Sequence, residues 1–153
     1  MARVRVRDVL EGSVHEAQTC WLDVRRWPEW VDGAARIVSV DSGWPQTGAR
    51  VVWESRPAGR GTVTETVRDY VPLERILLFV EDSLMEGEQS VSFEPVPAGV
   101  QVELSLEYRI KRRSPVTSLI EWLFVRRPMA LSLSRTLVRF AAVVEASRGQ
   151  SLG

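Results

Sequence analysis

The chain has 153 residues, of which 44% are apolar and 26% charged. That length fits one domain of about 100–150 residues with its own core, so residues 1–153 are read as a single unit, and the composition is far from that of a disordered chain. Twenty basic and twenty acidic side chains cancel, which leaves no global field to attract nucleic acid or an acidic substrate.

The opening alternates Arg3, Arg5 and Arg7 with Val4 and Val6, the period of two that a strand with one wet and one buried face requires. Ser13 stands three residues before Glu16, the spacing of a capping box, so a helix is predicted to begin there. Its apolar stripe is Ala17, Cys20, Trp21 and Val24, while His15, Glu16, Gln18 and Asp23 fall toward water. Pro28 suits the first turn of a second short helix that stops at Asp32-Gly33.

Six β-rich runs follow: Ala35 to Asp41, Ala49 to Arg56, Gly61 to Tyr70, Arg75 to Glu81, Gln89 to Val96, and Val100 to Ile110. The breakers between them are GWPQTG, PAGRG, VPLE, the acidic stretch Asp82 to Glu88, and PAG, all short enough for consecutive antiparallel pairing in a meander. In the last run Val102, Leu104, Leu106 and Tyr108 alternate with Gln101, Glu103, Ser105 and Glu107, so one face is buried. From about Pro115 the pattern becomes helical, and Pro128 is predicted to break or kink it. Beyond it Met129, Leu133, Leu137, Phe140, Ala141 and Val144 trace one stripe of a long helix. The predicted fold is α+β: a curved antiparallel seven-stranded sheet wrapped around a long C-terminal helix, with two short helices after strand one. A helix laid across a curved sheet meets it at the ends and along one edge, and the space left over is a natural pocket.

This order of elements resembles the helix-grip (START-like) fold. The segment WLDVRRWPEWV, Trp21 to Val31, is similar to the first-helix signature of the SRPBCC superfamily. Thr47 to Arg50 (TGxR), Val63 to Val67 (VTExV) followed by VPLER, Ser92 to Pro95 (SFEP), and AGVQVEL at 98–104 resemble its polyketide cyclase/dehydrase and lipid-transport branch. The resemblance implies a pocket for hydrophobic or aromatic molecules between sheet and terminal helix, with strand residues on its walls. It implies no particular reaction, because one fold hosts many activities.

The residues available for chemistry are few. His15 is the only histidine and Cys20 the only cysteine, which rules out an internal disulfide and a multi-histidine zinc site. A histidine-dependent triad would need His15 in the pocket, whereas periodicity sends it to solvent. Cys20 reads as a small core hydrophobe. Phosphate loops, dinucleotide fingerprints and GxSxG elbows are missing, so no cofactor and no metal are expected. The carboxylates on or near strands are Glu54, Glu65 and Asp82, and a buried one with a raised pKa could move protons. Strand parity at 49–70 is open from sequence, Thr62, Thr64 and Thr66 being equally able to face inward, and a surface role is the safer reading for all three acids.

Among the six tryptophans, Trp21 and Trp27 are expected to pack under the end of the sheet, and Trp53 either to offer a flat wall to a ring or to serve in the core or on the outer face. The expected lining of the pocket is Trp53, Val91, Phe93, Leu104, Leu106, Tyr108, Leu133, Leu137 and Phe140, with Tyr108 supplying an orienting hydroxyl. The basic clusters around LIEWLF, between Lys111 and Pro128, read as a lid over the mouth in preference to a lipid-surface anchor, leaving room for transient membrane contact. The start MARVRVRDVL lacks a signal-peptide core, and the longest apolar run, Leu119 to Val125, is interrupted by Glu121. A cytoplasmic protein without stable membrane insertion is expected, as monomer or homodimer. The leading reading is a carrier of a small hydrophobic ligand, lipid-like, a quinone or an aromatic polyketide. The alternatives are a polyketide aromatase/cyclase using an inward carboxylate, and a module that binds a partner on the outer sheet face.

Overall fold

A computed structural model of the chain describes residues 2–57, 60–111 and 126–151. Seven strands form one antiparallel sheet: β1 (Ala2–Leu10), β2 (Ala34–Val40), β3 (Arg50–Ser55), β4 (Thr62–Val71), β5 (Arg75–Glu81), β6 (Met85–Val96) and β7 (Gly99–Ile110). Their order is β1-β7-β6-β5-β4-β3-β2, so β2 to β7 are the expected meander and β1 adds to its far edge. There Val4 lies opposite Leu106 and Val6 opposite Leu104, which puts the valines of β1 on the buried side. Helix α1 (Val14–Leu22) and a 3-10 helix (Val24–Glu29) follow β1, and α2 (Arg126–Ser151) ends the described chain.

Helix α1 starts as predicted, with the Ser13 hydroxyl accepting from the Glu16 N–H at 3.1 Å. The reciprocal contact differs from a full capping box: the Ser13 hydroxyl donates to the Glu16 carboxylate at 3.3 Å. Gln18 corrects the predicted stripe, since it is buried, and its Oε1 accepts the N–H of Leu73 at 2.7 Å. A helix that packs against a sheet's turn buries a flank as well as a stripe, and a polar side chain fits there when it satisfies a backbone group.

Five strands lie within one residue of the predicted runs. The exception is β6, because Met85 to Glu88 belong to the strand and not to the breaker before it. The turn is made at Asp82, whose Oδ1 accepts from the N–H of Leu84 at 2.8 Å and of Met85 at 2.9 Å. Met85 and Gly87 face inward while Glu86 and Glu88 face outward, an alternation that the local density of acids concealed. A Cβ on Gly87 would sit 2.3 Å from the Glu107 carbonyl oxygen and 2.7 Å from the Tyr108 Cα. Only glycine admits so close an approach of β6 to β7. Pro128 lies within α2, and the helical stretch expected before it, from about Pro115, falls largely outside the described residues.

The inner sheet face and the buried stripe of α2, Leu133, Leu137, Phe140 and Val144, share the core with Trp21, Trp27 and Trp30. Phe140 stands edge-on to Trp21 at 5.1 Å and to Trp30 at 5.3 Å between ring centroids, the geometry that aromatic quadrupoles favour. The signature tryptophans therefore fix α2 against the end of the sheet, as predicted. Asp32 locks the same end, accepting from Ser132 at 2.8 Å and from Arg139 at 3.1 Å, while its own N–H donates to Thr136 at 2.9 Å. Of the predicted lid between Lys111 and Pro128, residues 112–125, with the apolar LIEWLF, lie outside the described residues, while Lys111 is described and Arg126 to Pro128 belong to α2.

Candidate site: an internal polar cavity

The backbone of α2 runs close to β1 and approaches α1 and the 3-10 helix, with little direct approach to β3, β4 and β5. Large side chains bridge that gap, and they leave a cavity of about 40 Å³. Its walls come from three places: Trp21, Trp27, Val31 and Asp32 at the helical end, Trp53, Arg60, Glu65, Gln89 and Leu106 from the sheet side, and Met129, Ser132, Leu133 and Thr136 from α2. That volume suffices for water and is far below the roughly 300–1,000 Å³ of a ligand pocket.

The polar groups of the cavity form a chain. Trp53 is inward and buried, and its indole N–H donates to Glu65 Oε2 at 2.6 Å. The Arg60 guanidinium lies 5.7 Å from the centroid of the Trp53 ring, and its Nε donates to Asp82 Oδ2 at 2.7 Å. Parity on β4 is now settled: Val63, Glu65 and Val67 are inside, and Thr62, Thr64 and Thr66 are not. The surface reading of Glu65 and Asp82 is thus corrected, since both are buried. It holds for Glu54, which lies exposed in a bidentate pair with Arg36 at 2.9 and 3.0 Å.

The two buried acids are tuned in opposite directions. Burial pushes the Glu65 carboxyl up, and the Trp53 N–H and the Arg60 charge offset only part of that. Burial would push Asp82 up as well, but the N–H groups of Leu84 and Met85 together with Arg60 outweigh it and hold the group down. The cavity therefore contains one carboxyl that is reluctant to ionise, fed by a fixed indole donor. Such a group holds its proton to higher pH than an ordinary glutamate, which suits it to acid–base work.

Of the nine predicted lining residues, Trp53, Leu106 and Leu133 border this cavity. Val91, Phe93, Leu104, Leu137 and Phe140 are buried in the main core around it, and Tyr108 is buried with Val4, Met85, Leu106 and Leu133 in a smaller cluster. Sequence reasoning missed Arg60, Gln89, Ser132 and Thr136, which are polar residues of a loop, a strand and a helix with no pattern to distinguish them from surface positions.

Larger hollows lie on the surface among the described residues. One, about 360 Å³, runs between α1 and α2 past His15, Cys20, Asp23 and Arg148. His15 is exposed there as predicted, and Cys20 is only half-buried, its thiol pushed up by that partial burial. Another, about 290 Å³, lies beside Phe79, Glu86, Glu88, Glu107 and Arg109. The outer sheet face carries cross-strand ion pairs such as Arg3–Glu107 at 2.8 Å and Arg75–Asp69 at 2.9 Å. Among the described residues no helix is long and apolar enough to cross a membrane, and no cluster of three or more acidic, histidine or cysteine side chains could hold a metal.

Solved structures share this fold over almost the whole chain. The di-domain ARO/CYC StfQ from the steffimycin biosynthetic pathway superposes with a TM-score of 0.75 at 19% identity, covering 96% of this chain and 51% of that one. SA2116 from Staphylococcus aureus gives 0.75 at 13% identity, covering 97% and 96%. TTHA0849 from Thermus thermophilus gives 0.72 at 18% identity, covering 95% and 99%. At such identities the likeness concerns the fold. No curated protein matches the sequence. The family model described as polyketide cyclase / dehydrase and lipid transport matches residues 1–145. The chain belongs to that family.

Proposed function

We propose that the protein binds a small hydrophobic, ring-bearing molecule between the inner sheet face and α2, with the ring against Trp53 and the polar end beside Glu65. The observation that carries this is a polar cavity within the apolar core where α2 stands off the sheet. A core built only for stability would fill that space with methyl groups, because buried polar groups are costly unless they serve a partner. The free volume is smaller than any such ligand, so binding displaces Met129 and Leu133 and moves α2 outward. Met129, unbranched and half-buried, yields most easily. Family membership and the fold shared with StfQ support the same reading.

The test is thermal melting against fatty acids, quinones and aromatic polyketides. A ligand held at about 100 times its Kd stabilises by about 2.7 kcal/mol, a rise of several degrees. Trp53→Ala should remove it, and flat curves across the whole panel would overturn the proposal.

A second reading, cyclase chemistry, is favoured by Glu65 alone of the three acids considered. Its carboxylate would take a proton from a methylene between two carbonyls, and the resulting carbanion would attack another carbonyl of the same chain. Glu65→Gln would then abolish turnover of a poly-β-ketone while leaving its uptake intact, and undiminished turnover would remove this reading.

A further inference from the structure

We infer that the cavity contains a two-donor subsite, the indole N–H of Trp21 and the guanidinium Nη2 of Arg60, that takes an oxygen acceptor on the buried end of the ligand. The inference rests on the binding reading above and adds the chemical class of what is bound. Trp21 is 1% exposed and borders the cavity. Its Nε1 is buried and has no hydrogen-bond partner among the described residues, and the same holds for Nη2 of Arg60. Three other indoles are satisfied: Trp27 donates to the Trp21 carbonyl at 2.8 Å, Trp44 to the Leu22 carbonyl at 2.9 Å, and Trp53 to Glu65. Trp30 also keeps an unpartnered N–H, but it does not border the cavity and has no part in the argument.

Buried donors are nearly always paired, so two unpaired ones on a single small cavity point to a partner that is not a protein group. Water serves when nothing else is bound, and about 40 Å³ admits it. The nearby Asp32 carboxylate is already engaged. Both carboxylate oxygens of Asp32 are taken by Ser132 and Arg139, and Arg60 is held by Asp82 and lies against the Trp53 ring, which fixes its free nitrogen. Glu65, whose burial favours the neutral acid, adds an O–H in place of a negative charge. The lining thus favours a carbonyl, enol or phenol oxygen and disfavours both an ammonium and a bare hydrocarbon.

The test uses three probes of matched shape, titrated calorimetrically into the full chain: 2-acetylnaphthalene, 2-ethylnaphthalene and 2-(aminomethyl)naphthalene. The acetyl compound should bind on the order of tenfold more tightly than the ethyl compound, because it satisfies donors that the other leaves unpaired. The aminomethyl cation should bind most weakly. Trp21→Phe keeps the ring and removes the N–H, and Arg60→Met removes the guanidinium. Each should bring the acetyl-to-ethyl ratio toward one. Should the Trp21 variant fail to fold, the Arg60 variant alone decides. Equal binding of the two neutral probes, tighter binding of the cation, or a ratio that a folded variant leaves unchanged overturns the two-donor subsite while the binding reading stands. No binding of any of the three overturns the subsite and the binding reading together.

Discussion

Glu65 takes a place on β4 between Val63 and Val67, where a third valine would fill the same row of the core. Its ionisation works against folding. Because burial raises its pKa above the ordinary 4.5, the native state binds more protons than the unfolded chain between those two values. Stability from this site is fully present below about pH 4.5 and is lost as pH rises through the native pKa. Asp82 has the opposite sign: its pKa lies below the ordinary 3.8, so its contribution is present above that value and disappears as the pH falls through the native pKa. Glu65→Gln keeps an acceptor for the Trp53 N–H and removes the titration. The variant should match the parent near pH 4 and exceed it increasingly toward pH 8, as read from urea midpoints across that range. A constant difference at every pH would show that the Glu65 pKa is the same in the folded and the unfolded chain, so that burial does not raise it.

The turn joining β4 to β5 shows how an element can carry strain for the benefit of a neighbour. Pro72 occupies its second position and Leu73 its third, with φ +65° at Leu73 and the Glu74 N–H bonded to the Val71 carbonyl at 3.0 Å. This is a type II turn, in which glycine is the usual third residue. Leu73 is half-exposed and packs little, so the positive φ costs about 1–2 kcal/mol without return from burial. What holds it is the bond from its N–H to Gln18 on α1. Leu73→Gly should stabilise the protein by about 0.5–1 kcal/mol, the relief of strain exceeding the added chain entropy, and a lowered urea midpoint would refute this. The VPLE turn was legible from its proline, and six strands, the first helix and the long helix were legible from periodicity; the second short helix was expected to start at Pro28 and stop at Asp32-Gly33, whereas the 3-10 helix runs Val24–Glu29 with Pro28 near its end. Gln18 was not legible, because a single polar residue on a helical flank looks the same whether it meets water or a turn 55 positions away. Nor was the start of β6, where Glu86 and Glu88 mask the alternation of Met85 and Gly87. The pairing of β1 with β7, across some 100 residues, leaves no local trace.

For the whole molecule, the decisive feature is how α2 is seated: held at β1, α1 and the 3-10 helix, and propped away from β3 to β5 by aromatic side chains. The sequence revealed that both partners have an apolar face, and Trp53, Leu106 and Leu133 were identifiable as wall residues on that basis. The inward direction of Glu65 was not, since one residue of register on β4 exchanges it with Thr64 or Thr66. Arg60 reaches the cavity from a loop, where no periodicity applies. If the seat of α2 is what limits the cavity, enlarging it should convert stability into affinity. Leu133 borders the cavity from α2 and is 7% exposed. Leu133→Ala should cost about 2–5 kcal/mol, by lost transfer energy and by the void left behind. A ring-bearing probe such as 2-ethylnaphthalene should then bind more tightly than to the parent, because the side chain it must displace is gone and the added space is lined with carbon. Melting curves with and without the probe separate the two effects: the variant's melting temperature should start lower and rise further. An equal or smaller rise would mean that Leu133 is a core residue with no share in the ligand's path, and that α2 does not move outward there.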